Sequence, residues 1–267
     1  MKKIDFIENF KRMTHDAWLK GWHERNGGNI SYRLTDSDLK ECFDILQFGE
    51  EWLELPFHVD NLAGEYFLVT GSGKFLRNVI VDIESNCGIV QLNQTGNAYR
   101  IVWGLLNNDN PTSELPSHLL SHSIKKDLTG GKHRVIMHSH LTNIIALTFV
   151  LPLNSETFTS LLWQMMTEGP VVFPSGVGVV EWMIPGSVEI GLKTSKLMRK
   201  HDVVIWSHHG VFGSGESMDL TFGLMDTVEK AAEILVKVLS MGGIKQTITE
   251  ENISDLAKAF QIELYKS

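Results

Sequence analysis

Short apolar runs, separated by turn residues and by segments of helical periodicity, leave this chain few folds to adopt. Glu65 to Thr70 (EYFLVT), Val79 to Ile83, Arg134 to His140 (RVIMHSH), Val171 to Phe173, Gly178 to Met183 and Val203 to Ser207 have the length and the β-branched or aromatic content of strands. Between them run helical patterns. The first 24 residues carry Ile4, Phe6, Ile7, Phe10, Met13 and Trp18 near 3.6-residue spacing, and Leu115, Leu119, Leu120 and Ile124 repeat that spacing up to Gly130-Gly131. Further helices are expected at Ser187 to Lys200, at Leu220 to Leu239, and near Ile253 to Phe260 behind Thr249-Glu250-Glu251. Thr142 to Leu151 is apolar at too many positions for a surface element and is expected to be buried. Strands interleaved with helices and long crossovers indicate an α/β class with a mixed sheet as the core. No repeat or linker divides the chain, so residues 1–267 read as one domain.

Composition narrows the function. At 267 residues and 43% hydrophobic content, the chain can bury roughly three quarters of its unfolded surface. No run approaches the roughly 18 apolar residues of a membrane span, and Pro152 interrupts the nearest, Ile144 to Leu153. The opening MKKIDFIENFKRM alternates charges with apolar residues, unlike a secretory signal, and a cytoplasmic location is expected. Two cysteines, Cys42 and Cys87, leave no room for a disulfide framework or a four-thiolate zinc site. Any metal must rest on histidines and carboxylates. The net charge of -8 argues against a nucleic-acid surface and requires that attraction for an anionic substrate be built locally.

The sharpest chemical signal is His138-Ser139-His140. Alternate side chains of a strand share a face, so both imidazoles project the same way with roughly 6–7 Å between their Cα atoms, suiting two ligands of one ion. A pair of partly exposed strand histidines is the plainer alternative. A third ligand could come from His208 or His209, at the end of another apolar strand; by alternation they face opposite ways, and the pattern does not choose between them. His118 and His122, four apart in a helix, lack the glutamate of a His-Glu-x-x-His motif and read as helix-surface histidines. Three histidines on a divalent ion would leave coordination positions open, as in catalytic zinc sites.

Thr70-Gly71-Ser72-Gly73-Lys74 follows a strand, and its glycines permit close backbone approach to an anion; the Walker spacing is absent, and an ordinary turn is the alternative. Asn26-Gly27-Gly28-Asn29 is a second such loop, or simply a helix stop. With Thr112 and Ser113 these loops would offer neutral donors to a phosphate without a basic patch. Glu114 sits at a helix start, where a carboxylate either stabilises the helix or, near a metal, moves a proton. Glu168, ahead of Gly169-Pro170, is a second candidate, with a plain loop carboxylate as its alternative.

The stretches GWHERNGGN (21–29), FLVTGSGKFLRN (67–78), NPTSELPSH (110–118), HSHLTN (138–143), TEGPVVFPSGVGV (167–179), HHGVFGSG (208–215) and SMGGIKQTI (240–248) together resemble the zinc-dependent class II sugar-phosphate aldolases of the aldolase/epimerase/adducin superfamily, nearly end to end. The resemblance implies a mixed, mainly antiparallel central sheet flanked by helices, assembled as a homotetramer with sites near subunit interfaces. It implies Zn2+ held by His138, His140 and His209, with Glu114 as the catalytic carboxylate. It also implies a phosphate cradle of Asn26, Asn29, Ser72, Gly73 and Ser113. The implied reaction is reversible cleavage of a sugar phosphate, a ketose 1-phosphate, into dihydroxyacetone phosphate and an aldehyde. The rivals are an epimerase or a sister aldolase on the same scaffold, a zinc hydrolase, and a non-catalytic module like the adducin heads.

Overall fold

The structure is a computed structural model and describes residues 4–265. In chain order, helix α1 (Asp5–Leu19) leads to β1 (Asn29–Arg33), α2 (Asp36–Cys42), β2 (Leu53–Glu54), β3 (Tyr66–Thr70), α3 (Ile83–Asn86), β4 (Cys87–Leu92) and β5 (Ala98–Gly104). Next come α4 (Leu115–Thr129), β6 (Val135–Ser139), α5 (Thr142–Leu147), α6 (Ser155–Trp163), α7 (Glu168–Val172) and β7 (Val177–Val180). The chain continues with α8 (Val188–Met198), β8 (Val203–Trp206), β9 (Gly210–Gly215), α9 (Met218–Ser240) and α10 (Glu250–Phe260). The nine strands form one sheet in the order β2-β5-β4-β3-β1-β6-β9-β8-β7. Every pairing is antiparallel except β7 with β8. This is the mixed, mainly antiparallel sheet expected of the α/β class.

Alternation along the strands divides the core into two layers. Ile30, Leu68, Val135, Met137, Val203, Ile205 and Val211 face α1 and the long helix α9. On the other side Phe67 and Val69 meet Leu115 and Leu119 of α4. There too Ile136, Val204, Trp206 and Phe212 meet Ile190 and Met198 of α8. His138, two residues beyond Ile136, therefore lies on the α4 side of the sheet centre, where β6 pairs with β1 and β9.

Three sequence expectations need correction, and one strand went unread. Val79 to Ile83 is not a strand: a 3-10 turn at Leu76–Asn78 precedes it, and Asp82 caps α3 by accepting from the Ser85 N–H. Val171 to Phe173 closes α7, where Glu168 occupies the first turn and the Trp163 indole donates to the Phe173 carbonyl. Of Thr142 to Leu151, Ile144 and Leu147 are buried but Phe149 and Val150 are exposed. Strand β9 was hidden by its glycines. A Cβ at Gly213 would stand 2.5 Å from Met225 Sδ and one at Gly215 2.4 Å from Thr221 Oγ1, so the bare backbone is what lets α9 lie against the sheet.

Candidate active site

Three imidazoles meet at one end of the sheet. His138 is the penultimate residue of β6, His140 follows just past its end on the same face, and His209 enters from the turn between β8 and β9; one ligand atom from each lies within 4.8 Å of the others. Both His138 Nε2 and His209 Nδ1 are buried without a hydrogen-bond partner among the described residues. Three convergent rings, two of them with an unpartnered buried nitrogen, could hold a divalent cation. Burial, assisted by the neighbouring rings, drives His138 well below the ordinary histidine pKa and lowers His209 to about 4. Both are thereby kept in the neutral form that ligation requires.

Each ring is oriented from behind. His138 Nδ1 donates to the Val211 carbonyl at 3.1 Å, and the ring stacks on Phe212 at 4.7 Å between centroids. His140 Nδ1 is 2.6 Å from Glu24 Oε1, so its Nε2 is turned toward the cluster; this carboxylate-to-imidazole contact fixes a ligand's tautomer and raises its basicity. Backbone closes around the rings. A Cβ on Gly27 would sit 2.8 Å from His140 Cε1, one on Gly28 2.8 Å from the His138 carbonyl, and one on Gly210 2.8 Å from His138 Cε1.

Which of the two adjacent histidines joins the cluster is settled by a turn. The strand stops at Trp206; His208 adopts a left-handed backbone (φ +62°), and the His209 N–H folds back to the Trp206 carbonyl at 3.1 Å. His208 instead bonds Thr148 Oγ1 and packs on Phe149.

Glu114 precedes α4 as its N-cap but makes no capping hydrogen bond. Its Oε2 accepts from Asn29 Nδ2 at 2.8 Å and lies 3.7 Å from His138 Nε2. Burial raises its pKa to about 7 against the lowering pull of the Asn29 bond, putting both protonation forms within reach near neutrality. Glu168 opens α7 and is exposed.

The three candidate anion loops reach this same sheet end. The Ile30 N–H donates to Thr70 Oγ1, the Thr112 N–H to the Thr70 carbonyl, and the Ser72 N–H to the Asn110 carbonyl. Asn26, Ser72, Gly73 and Ser113 are exposed around a buried Asn29, and Gly73 takes the left-handed conformation that only glycine adopts freely (φ +68°). A cleft of about 390 Å³ lined by Glu24, His140, Ile145, His208 and His209 opens beside the rings. A larger groove of about 630 Å³ between α6 and α10 contains none of them.

Sequence reasoning missed Glu24, although it stands inside the GWHERNGGN stretch, and misjudged His118 and His122. Both are fully enclosed between α4 and the sheet rather than on the helix surface. The signal was present: Leu115 and Leu119 place the inward side of α4 so that His118 and His122 fall on it.

The class II aldolase and adducin N-terminal domain family matches residues 9–236. A rhamnulose-1-phosphate aldolase of Klebsiella pneumoniae is 52% identical over 262 residues, covering 98% of this chain and 95% of that protein. One of Mannheimia succiniciproducens is 51% identical over 257 residues, covering 96% and 94%. Among solved structures, a sugar-phosphate aldolase from Thermotoga maritima superposes with a TM-score of 0.75 at 30% identity, covering 90% of this chain and 97% of that one.

Proposed function

Since the chain belongs to the class II aldolase and adducin N-terminal domain family, we propose that it is a metal-dependent aldolase that reversibly cleaves L-rhamnulose 1-phosphate to dihydroxyacetone phosphate and L-lactaldehyde. The observation that carries this reading is the meeting of three imidazoles, a buried carboxylate and three donor-rich loops at one sheet end, in a chain half identical to aldolases of that substrate.

Breaking C3–C4 leaves an electron pair on C3 that must pass into the C2 carbonyl. His138, His140 and His209 would hold a divalent cation, zinc in this proposal, which would supply positive charge to offset the negative charge growing on that oxygen. Glu114 handles the C3 proton: in synthesis its carboxylate removes it from dihydroxyacetone phosphate while the aldehyde oxygen takes one from water, and in cleavage the C4 hydroxyl proton passes to water as the aldehyde forms and the Glu114 carboxyl gives its own proton to C3. In the metal-free protein burial holds this carboxyl at a pKa of about 7, so it can give a proton as well as take one. Asn26, Asn29, Ser72, Gly73 and Ser113 grip the phosphate with neutral donors, which suits a chain of net charge -8 and supplies orientation remote from the reacting bond.

Residues 1–267 act as one domain in this reading, in the cytoplasm and in L-rhamnose metabolism. They assemble as a homotetramer. Exposed Phe149 and Val150, the first packed on His208, support association beside the site, and exposed Trp182 and Ile184 add apolar surface elsewhere on the chain. Sedimentation at several concentrations checks the assembly, and a monomer throughout would refute it.

The functional test is incubation of the zinc-loaded protein with L-rhamnulose 1-phosphate and, in parallel, other ketose 1-phosphates. Release of dihydroxyacetone phosphate fastest from the rhamnulose ester is expected. An epimerised product, or faster cleavage of another ketose phosphate, would overturn the assignment.

A further inference from the structure

Five side chains form an unbroken hydrogen-bond chain ending on Glu114, and the reaction derived above leaves its far half without a role. His122 Nε2 lies 2.8 Å from Ser31 Oγ, and Ser31 Oγ lies 2.7 Å from His118 Nδ1. His118 Nε2 lies 2.5 Å from Asn29 Oδ1, and Asn29 Nδ2 donates to Glu114 Oε2 at 2.8 Å. All five are buried. The rungs match because Asn29 and Ser31 share one face of β1, while His118 and His122 are one turn apart on α4; strand i,i+2 and helix i,i+4 spacings are both near 6 Å.

The chain has one possible direction once Glu114 is ionised, because a carboxylate only accepts. Asn29 must then present its NH2 to Glu114 and its carbonyl oxygen to His118. His118 must donate from Nε2, so a neutral ring must accept at Nδ1, and the Ser31 hydroxyl must donate there while accepting from His122 Nε2. Burial lowers His118 to about 3 and holds the ring neutral, with a single N–H to place.

We propose that His118, set in its tautomer by Ser31 and His122, is a positioning residue that locks the Asn29 amide with its NH2 toward Glu114 and so keeps that carboxylate aimed at the reacting carbon. Without the His118 donor the amide is free to turn its oxygen to Glu114, acceptor against acceptor. The inference rests on the aldolase reading for its consequence, though not for its geometry.

Two measurements test it. In steady-state kinetics, His118→Asn, whose shorter amide does not reach Asn29, is expected to lower kcat about 10- to 100-fold, the weight of one hydrogen bond to a charged group. KM for the ketose phosphate should rise less than kcat falls, since Asn29 is only one of the residues that grip the phosphate, and His118→Gln, whose amide nitrogen stands near the Nε2 place, should recover most of kcat. Equal kcat in both variants and the parent would overturn the proposal. Nitrogen-15 NMR of histidine-labelled, metal-free protein in alkaline buffer, where Glu114 is ionised, is expected to show His118 as the neutral Nε2-protonated tautomer, with Ser31→Ala mixing the two tautomers. An Nδ1-protonated ring in the parent would overturn it equally. A parent that cleaves no ketose phosphate would sink the aldolase reading instead, and the NMR result alone would then decide the chain.

Discussion

Glu114→Gln separates the role of the carboxylate in the fold from its role in the reaction. In the metal-free protein burial lifts Glu114 from 4.5 to about 7, a shift worth about 3 kcal/mol at roughly 1.4 kcal/mol per unit. The sign follows from proton counts: between pH 4.5 and 7 the native state holds a proton that the unfolded state has released, so stability falls as pH rises through that window and levels off above it. Glutamine carries no such proton. It keeps an oxygen for the Asn29 amide, which now donates to Glu114 at 2.8 Å. Of the 3 kcal/mol, about 2 should fall between pH 5.5 and 8. Urea unfolding of chelator-treated protein at those two pH values is therefore expected to show Glu114→Gln gaining about 2 kcal/mol on the parent as pH rises, while the buried histidines contribute equally to both proteins and cancel. The variant should still take up zinc and lose most of its turnover. Parallel stability curves would refute the desolvation argument, and unchanged turnover would remove Glu114 from the reaction.

Other substitutions address the metal directly. His209→Ala is expected to abolish stoichiometric zinc after gel filtration, whereas His208→Asn should retain it, because asparagine tolerates the left-handed backbone at φ +62°; elemental analysis reads both. Glu24→Gln should weaken zinc binding about 10- to 100-fold in chelator competition without altering the melting temperature, since Glu24 is exposed and bonds only the back of His140. Gly27→Ala should impair zinc binding by pushing a methyl to 2.8 Å from His140 Cε1. By contrast Gly223→Ala, in the α9 interior with nothing within 4 Å, should stabilise the fold by about 0.5–1 kcal/mol in urea unfolding.

Much of the scaffold was legible because its elements announce themselves locally. The spacing of Leu115, Leu119, Leu120 and Ile124 up to the left-handed Gly130 defines α4 nearly to the residue, and the runs expected as strands at 65–70 and 203–207 are β3 and β8, each one residue shorter. The failures share one cause, that β-branched content marks a residue's preference and not its neighbours. Val171 and Val172 lie in a helix because Glu168 begins one and the Trp163 indole closes it. Gly210 to Gly215 is a central strand that lacks most of the side chains by which a strand is read, since α9 occupies the space those side chains would fill.

The site divides along the same line. His138 and His140 could be placed together by strand parity alone, since nothing but an extended chain connects them. His209 could not. Parity holds only while the backbone stays extended, and here the chain leaves the sheet at Trp206 and re-enters at Gly210, with His208 turned to φ +62° between them. That single left-handed residue carries the next side chain back over β6, and Gly210 has no Cβ to collide with the Ser139 carbonyl, which would be 2.6 Å away. The convergence of three rings thus depends on one strained turn and one bare backbone position. The Asn29 amide shows the same limit from another side: its neighbours in sequence give it a loop, but its two hydrogen bonds, to His118 and Glu114, come from residues 85 or more positions away. Long-range partners of this kind decide which way a buried polar group points, and no periodicity in the chain records them.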